Sequence, residues 1–175
     1  EEIDLLVIAS PTLFHAEQAV TAMRKGVDVL IEKPVAASLE EFEKMVRTME
    51  ETNRKMMVYQ PLRIAPETQA VRHILNSGVL GPVYMIKRTV ARYSRRNDWQ
   101  SQLRNGGGML NNYGSHYIDQ LLFVTGSKVK KAATHLRNIV SMGDADDVVK
   151  LLMEAENGLL LDLDINMACA LYLPE

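Results

Sequence analysis

Apolar residues fall into two rhythms along this chain. Ile3-Asp4-Leu5-Leu6-Val7-Ile8-Ala9-Ser10 and Val27-Asp28-Val29-Leu30-Ile31 are near-continuous apolar runs, and Lys55-Met56-Met57-Val58-Tyr59 is a third. Such runs suit strands buried on both faces of a parallel sheet. Between the first two, Leu13 to Lys25 repeats at helical spacing, with Gly26 placed as a C-terminal cap. Between the second and third, Ser38-Leu39-Glu40-Glu41 is a capping box that opens a helix running to about Thr52. Strand, helix, strand, helix, strand within residues 1–60 predicts parallel strands joined by right-handed crossovers.

Beyond residue 60 the pattern changes. Pro66 to Ser77 reads as a helix ended by Gly78, and Val83 to Tyr93 alternates as an antiparallel strand does. Leu110 to Val124 reads as a helix closed by Gly126. Val129 to Asn138, Val148 to Glu154 and Leu159 to Asn166 read as strands, with Asn157-Gly158 turning a hairpin between the last two. The expected organisation is two domains, 1–60 and 61–175, the second of α+β type with a mainly antiparallel sheet.

Composition narrows the function classes. The chain has 175 residues, is 47% hydrophobic and carries a formal net charge of -2, which fits a soluble globular protein with a real core. Near-balanced charge gives no electrostatic reason to expect nucleic acid or a membrane surface. No apolar run approaches the roughly 20 residues of a membrane span. The single Cys169 excludes an internal disulfide and fits a reducing, cytoplasmic setting; it reads as a small buried residue. No His/Cys/Asp spacing points to a metal site, and the ten methionines read as core filler. A strand starts almost at residue 1, which is Glu, as expected of a chain lacking its natural start.

The chemistry-bearing residues gather at strand tips and at one helix start. In open parallel sheets, ligands sit beyond the carboxyl ends of the strands. Here those ends carry Ser10-Pro11-Thr12-Leu13-Phe14-His15, Glu32-Lys33-Pro34, and Tyr59-Gln60-Pro61-Leu62-Arg63. All three are expected to converge on one crevice. Lys33 is the leading candidate: a lysine on a stiff strand tip, partly buried, polarises or exchanges a proton with a substrate oxygen. The tripeptide alone reads equally as a surface lysine after a strand. His15 reads as readily as a cap of the following helix, and Arg63 as readily as a salt-bridge residue between domains.

The second cluster is Gly106-Gly107-Gly108-Met109-Leu110-Asn111-Asn112-Tyr113-Gly114-Ser115-His116-Tyr117-Ile118-Asp119. Three glycines permit positive φ and close approach of another backbone or a ligand. Behind them, Asn112, His116 and Asp119 at i, i+4 and i+7 are expected on one helix face. His116 is the candidate base, and Asp119 reads as a residue that orients a neighbour. Trp99, in Arg95-Arg96-Asn97-Asp98-Trp99, reads as a buried loop anchor or as a stacking surface for a sugar ring.

In this order and separation, the Glu-Lys-Pro and Gly-Gly-Gly…His segments resemble the Gfo/Idh/MocA family of NAD(P)-dependent oxidoreductases. The resemblance covers essentially the whole chain. It implies the C-terminal half of a Rossmann-like parallel sheet followed by a partial substrate and oligomerisation domain. It implies a cis Lys33–Pro34 bond, a cofactor site drawing on Ser10, Pro11, His15, Glu32, Lys33 and Gln60, and substrate contacts from Arg63, Trp99, Asn112 and His116. The expected ligands are NAD or NADP and a sugar, polyol or nucleotide-linked sugar, in a homo-oligomer. The departures are Thr12 where the family has Asn, Asn112 where it usually has a carboxylate, and Tyr59, Pro61, Leu62 and Ile64 around Gln60 and Arg63. An Asn cannot raise the histidine pKa by charge, yet it still hydrogen-bonds a hydroxyl; relatives with Asn at this position include ones acting on nucleotide-linked sugars. The sequence contains no Gly-x-Gly-x-x-Gly turn. Two other readings follow: a non-catalytic module with the family's fold, or a relative that uses transient oxidation to cleave a glycoside.

Overall fold

The computed structural model describes residues 3–173, and it divides into two compact units, 1–60 and 61–175. In the first unit, β1 (Leu5–Ile8), β2 (Asp28–Ile31) and β3 (Met56–Val58) form a parallel sheet in the order β1-β2-β3. Helix α1 (His15–Arg24) crosses from β1 to β2, and α2 (Leu39–Thr52) from β2 to β3. A single 3-10 turn, Thr12–Phe14, starts the first crossover. The capping box works slightly off its usual register. Ser38 Oγ accepts from Glu41 N at 3.2 Å, while Glu41 Oε2 accepts from Ala37 N at 3.0 Å, one residue before the cap. Asn53, with φ 51°, ends α2 in the left-handed region.

Among the described residues of this unit, the helices cover one face of the sheet. Ile8, Val29 and Ile31 are buried with Leu6 and Met56 beneath Ala16, Ala19, Val20, Met23 and Met45 of the helices. Each fully buried Val, Ile or Met among them contributes about 1.5–3 kcal/mol relative to exposure. On the opposite face, Leu5 and Val7 are exposed, as is Met57. The expectation that these runs are buried on both sides holds for one side only, because both crossover helices lie on the same face of β1 to β3.

The second unit holds α3 (Pro66–Ser77), β4 (Met85–Tyr93), a helical segment Leu110–Thr125, and β5 (Val129–Arg137), β6 (Val148–Ala155), β7 (Leu160–Asn166) and β8 (Ala168–Leu173). The sheet order is β5-β6-β7-β4-β8. Strand β4 pairs antiparallel with β8 but parallel with β7, so the antiparallel expectation for this strand holds on one edge only. β8 was not foreseen: Met167-Ala168-Cys169-Ala170 carries too little hydrophobic contrast to mark a strand. Cys169 on it is half-buried. Residues 156–158 turn the β6–β7 hairpin, with Gly158 at φ 86° and Ala155 N donating to Leu159 O at 2.9 Å. The core lies on the helical side of the sheet, where Val90, Val149, Leu151, Met153, Leu161, Leu163 and Ile165 pack against Met109, Tyr117 and Leu121. Among the described residues, no helix is long and apolar enough to cross a membrane.

Candidate active site

At the first unit's strand tips, the Lys33–Pro34 peptide is cis, and Lys33 is half-buried between Glu32 and Pro34. His15 is 1% exposed, with Nδ1 2.9 Å from Pro34 O and Nε2 2.7 Å from Ser10 O. It is neither a helix cap nor an outward-facing ligand contact. It ties the tip of β1 to the turn after β2. A neutral imidazole donates to one carbonyl at a time, and a ring protonated on both nitrogens donates to both. Ser10 Oγ donates to Gln18 Oε1 at 2.7 Å, so the hydroxyl is held against α1. Pro11 is exposed, and Gln60, the last residue of this unit, is half-buried.

In the second unit, the glycine motif builds a different helix start from the one its spacing predicts. Leu110–Gly114 is a π-helical turn, and the α-helix proper, α4, runs Ser115–Thr125. The expected i, i+4, i+7 face assumed one α-helical pitch from Asn112 to Asp119; the wider turn breaks that pitch before His116. Asn112 N donates to Gly108 O at 3.0 Å, and its Nδ2 donates to Gln100 Oε1 at 3.2 Å. Asn111 Nδ2 reaches the carbonyls of Gly106 and Gly107, both at 3.2 Å. Asn112 and His116 are both half-buried.

Arg63 and Asp119 find each other. Arg63 Nε and Nη2 donate to the two carboxylate oxygens of Asp119 at 2.8 and 2.5 Å. This forked hydrogen bond holds the Arg63 guanidinium above its ordinary pKa. The guanidinium also stacks on Phe123, 5.7 Å from the ring centre. Within its own unit, then, Arg63 has an orienting partner, and Asp119 fills the structural role expected of it. Trp99 is 44% exposed and starts a 3-10 turn, so it is not the buried loop anchor of one reading.

Sequence reasoning missed three groups here. Arg92 donates to the Tyr113 hydroxyl and its guanidinium lies 5.3 Å from that ring centre, while Arg88 sits 4.6 Å over Tyr117. These arginines alternate inward along β4, which brings two cations beneath the motif helix. Gln100 holds the Asn112 amide. The third group is the segment 142–147, which lies along residues 96–110. Met142 N donates to Arg96 O at 2.9 Å, Ala145 N to Ser101 O at 3.1 Å and Leu103 N to Asp144 Oδ1 at 2.8 Å. Gly143 has no room for a side chain, since a Cβ would stand 1.8 Å from Ser101 O. Asp147 is fully buried and accepts from Ile139, Val140 and Ser141 N at 2.7 to 2.8 Å. Three aspartates among small residues, immediately before β6, were the available signal.

Comparison with known proteins decides the family. Residues 68–173 match the Gfo/Idh/MocA C-terminal domain, and residues 1–60 match the oxidoreductase family with an NAD-binding Rossmann fold. The chain belongs to the Gfo/Idh/MocA oxidoreductase family. Among its relatives in this family, 2,7-anhydro-N-acetylneuraminate hydratase of Mediterraneibacter gnavus is 25% identical over 88% of this chain and 43% of its own length. D-glucoside 3-dehydrogenase of Escherichia coli is 30% identical over 74% of this chain and 38% of its own. The crystal structure of an NAD-binding protein from Listeria innocua superposes with a TM-score of 0.92 at 27% identity, covering 99% of this chain and 50% of that one. The chain thus spans about half the length of the Gfo/Idh/MocA proteins it matches.

The residues present fit one end of a dinucleotide. The tips of β1, β2 and β3 carry Ser10, Lys33 and Gln60 beyond the carboxyl ends of a parallel sheet, where open sheets of this kind bind their ligands. The glycine turn that cradles the phosphates is not among these 175 residues. Among the described residues, no group of three or more His, Cys, Asp or Glu stands where it holds a metal ion.

Proposed function

We propose that this chain carries the catalytic residues of an oxidoreductase that moves a hydride between NAD(P) and the hydroxyl-bearing carbon of a sugar, polyol or nucleotide-linked sugar. The observation that carries this reading is the built helix start, where Asn112 is held in a π turn behind three glycines and His116 stands on the first turn of the α-helix that follows. When bound, the nicotinamide supplies the hydride acceptor or donor. His116 takes the hydroxyl proton as the carbon gives up its hydride. Lys33 Nζ stabilises the charge developing on that oxygen. Asn112, its amide nitrogen held by Gln100, offers its carbonyl oxygen to a substrate hydroxyl. Ser10, Pro11, Glu32, Lys33 and Gln60 border the cofactor, with His15 fixing the two strand turns that carry the first four. Trp99 and Arg63 flank the substrate.

His116→Ala in the intact protein is expected to lower kcat by about 10²-fold or more while NAD affinity stays unchanged. Unchanged turnover removes His116 from the role of base. Lys33→Met is expected to act on kcat in the same way. The hydratase among its relatives favours a second reading, in which oxidation is transient and the product carries no net redox change. Accumulation of NADH with a sugar or polyol substrate supports the first reading, and product formed without NADH supports the second. We also propose a cytoplasmic homo-oligomer; light scattering on the purified protein that returns a monomer mass removes the oligomer.

A further inference from the structure

We propose that Asp146 is a positioning residue that sets the π register of the motif turn and so aims Asn112 relative to His116. This rests on the reading that those two side chains act on one substrate hydroxyl. Asp146 takes two successive amides at the start of the turn. Its backbone carbonyl accepts from Met109 N at 2.9 Å, and its Oδ2 accepts from Leu110 N, the first residue of the turn, at 2.8 Å. Its other oxygen lies against Gly108, where a Cβ would stand only 2.2 Å away and φ is +105°. The glycine therefore makes room for the carboxylate, and the carboxylate fixes where the turn begins. Asn112 follows two residues later, its amide N on Gly108 O at 3.0 Å.

The physical reason is register. Each residue of an α-helix turns the chain by about 100°, since 3.6 residues make one turn. A π turn holds an extra residue in that stretch and is rare without an imposed constraint. If the start of the turn is released, the segment relaxes toward α pitch and Asn112 swings around the helix axis relative to His116. A displacement of about 1 Å in a catalytic group lowers turnover by up to about 10²-fold. Asp144, on the same segment, bonds Leu103 N outside the turn and serves as the control.

The experiment compares Asp146→Ala, Asp146→Asn and Asp144→Ala in the intact protein. It uses steady-state kinetics and NMR of the Asn112 side-chain amide and the His116 imidazole. Asp146→Ala is expected to shift both sets of resonances and lower kcat by about 10-fold or more, with KM for NAD within twofold. Asp146→Asn keeps an acceptor for Leu110 N and is expected to restore both. Asp144→Ala is expected to leave both as they were. Resonances and kcat unmoved in Asp146→Ala overturn the proposal, as do equal losses in Asp146→Ala and Asp144→Ala. If the native protein transfers no hydride with any sugar or polyol offered, the function above fails, and the resonances alone then decide the role of Asp146.

Discussion

The two units each cover one face of a sheet with helices and leave the other open, yet the open faces are made differently. In the second unit the open face carries cross-strand ion pairs, with Met85 and Leu152 exposed among them. Lys87 faces Asp162 at 3.5 Å, Lys150 faces Asp164 across the β6–β7 ladder, and Lys130 faces Glu154 at 3.1 Å. In the first unit the open face is Leu5, Val7, Leu30 and Met57, with Leu5, Val7 and Met57 more than half exposed. An antiparallel or mixed sheet is stable with one face in water if that face is polar, whereas parallel strands read as apolar on both faces because both are normally covered. The second sheet's open face is laced with charge, and the first sheet's is almost wholly apolar. Contiguous exposed apolar surface of this kind marks an interaction site or an association hazard.

The largest effects test whether the covered faces are equivalent. Ile31 and Leu163 are both fully buried, each on the helix-covered face of its own sheet. Ile31→Ala and Leu163→Ala are each expected to cost about 2–5 kcal/mol, as cavities in close-packed cores do. Hydrogen exchange resolved by unit should show each loss mainly in the mutated unit. A loss below about 1 kcal/mol for Ile31→Ala would show that the one-sided sheet is loosely packed even on its covered face.

A smaller effect comes from Asp146. Burial pushes its carboxyl above the ordinary range, against the opposing pull of the Leu110 N–H. Below the unfolded pKa, both folded and unfolded states hold the proton and the group contributes nothing. As pH rises through the folded pKa, ionising the buried carboxyl costs the folded state more than the unfolded one, so stability falls. Asp146→Asn is therefore expected to flatten this decline between the ordinary carboxylate pKa and the raised one. Urea unfolding from pH 4 to 7 checks it, and identical pH profiles for the two proteins would remove the burial argument.

Most of the architecture could be read in the sequence because it is local. The strand runs, the Ser38 cap and the glycines at 26, 78, 126 and 158 each carry their own signal, and the family motifs carry the rest. What stayed hidden is non-local. β4 looks antiparallel from its alternation, yet β7 joins it in parallel, and nothing in residues 83–93 announces that partner. The π turn hides because Leu110 to Val124 has good α periodicity; its cause is Asp146, 36 residues beyond Leu110 in sequence. Likewise His15 reads as a helix cap until Pro34 O is seen on its other nitrogen. Asn112 was legible as a candidate, but the Gln100 contact that holds its amide was not.

On the charged face, Lys150→Ala breaks the ion pair with Asp164, whose carboxylate is mostly shielded while the lysine is half exposed. Exposed pairs contribute about 0.2–1 kcal/mol, so the expected loss lies in that range. It should shrink between 0.05 and 1 M salt, where the Debye length falls to about 3 Å. A loss that salt leaves untouched would mean the stem of Lys150 matters through packing on Leu152 and its neighbours, and the face would then be less electrostatic than its geometry suggests.

The smallest expected effect falls on the apolar face, and there the sign of the comparison is decided. Val7 and Met57 flank Leu30 in register and are 59% and 64% exposed. Val7→Thr with Met57→Thr retains strand-compatible side chains and removes apolar surface that touches water. Surface substitutions of this kind change stability by about 0.5 kcal/mol or less. Self-association should nevertheless fall, read as lower light scattering at rising concentration. A loss of about 2 kcal/mol or more would contradict exposure, because only burial gives those side chains that much to lose. That outcome would mean the face carries a second layer in solution, and the two units would then be built alike after all.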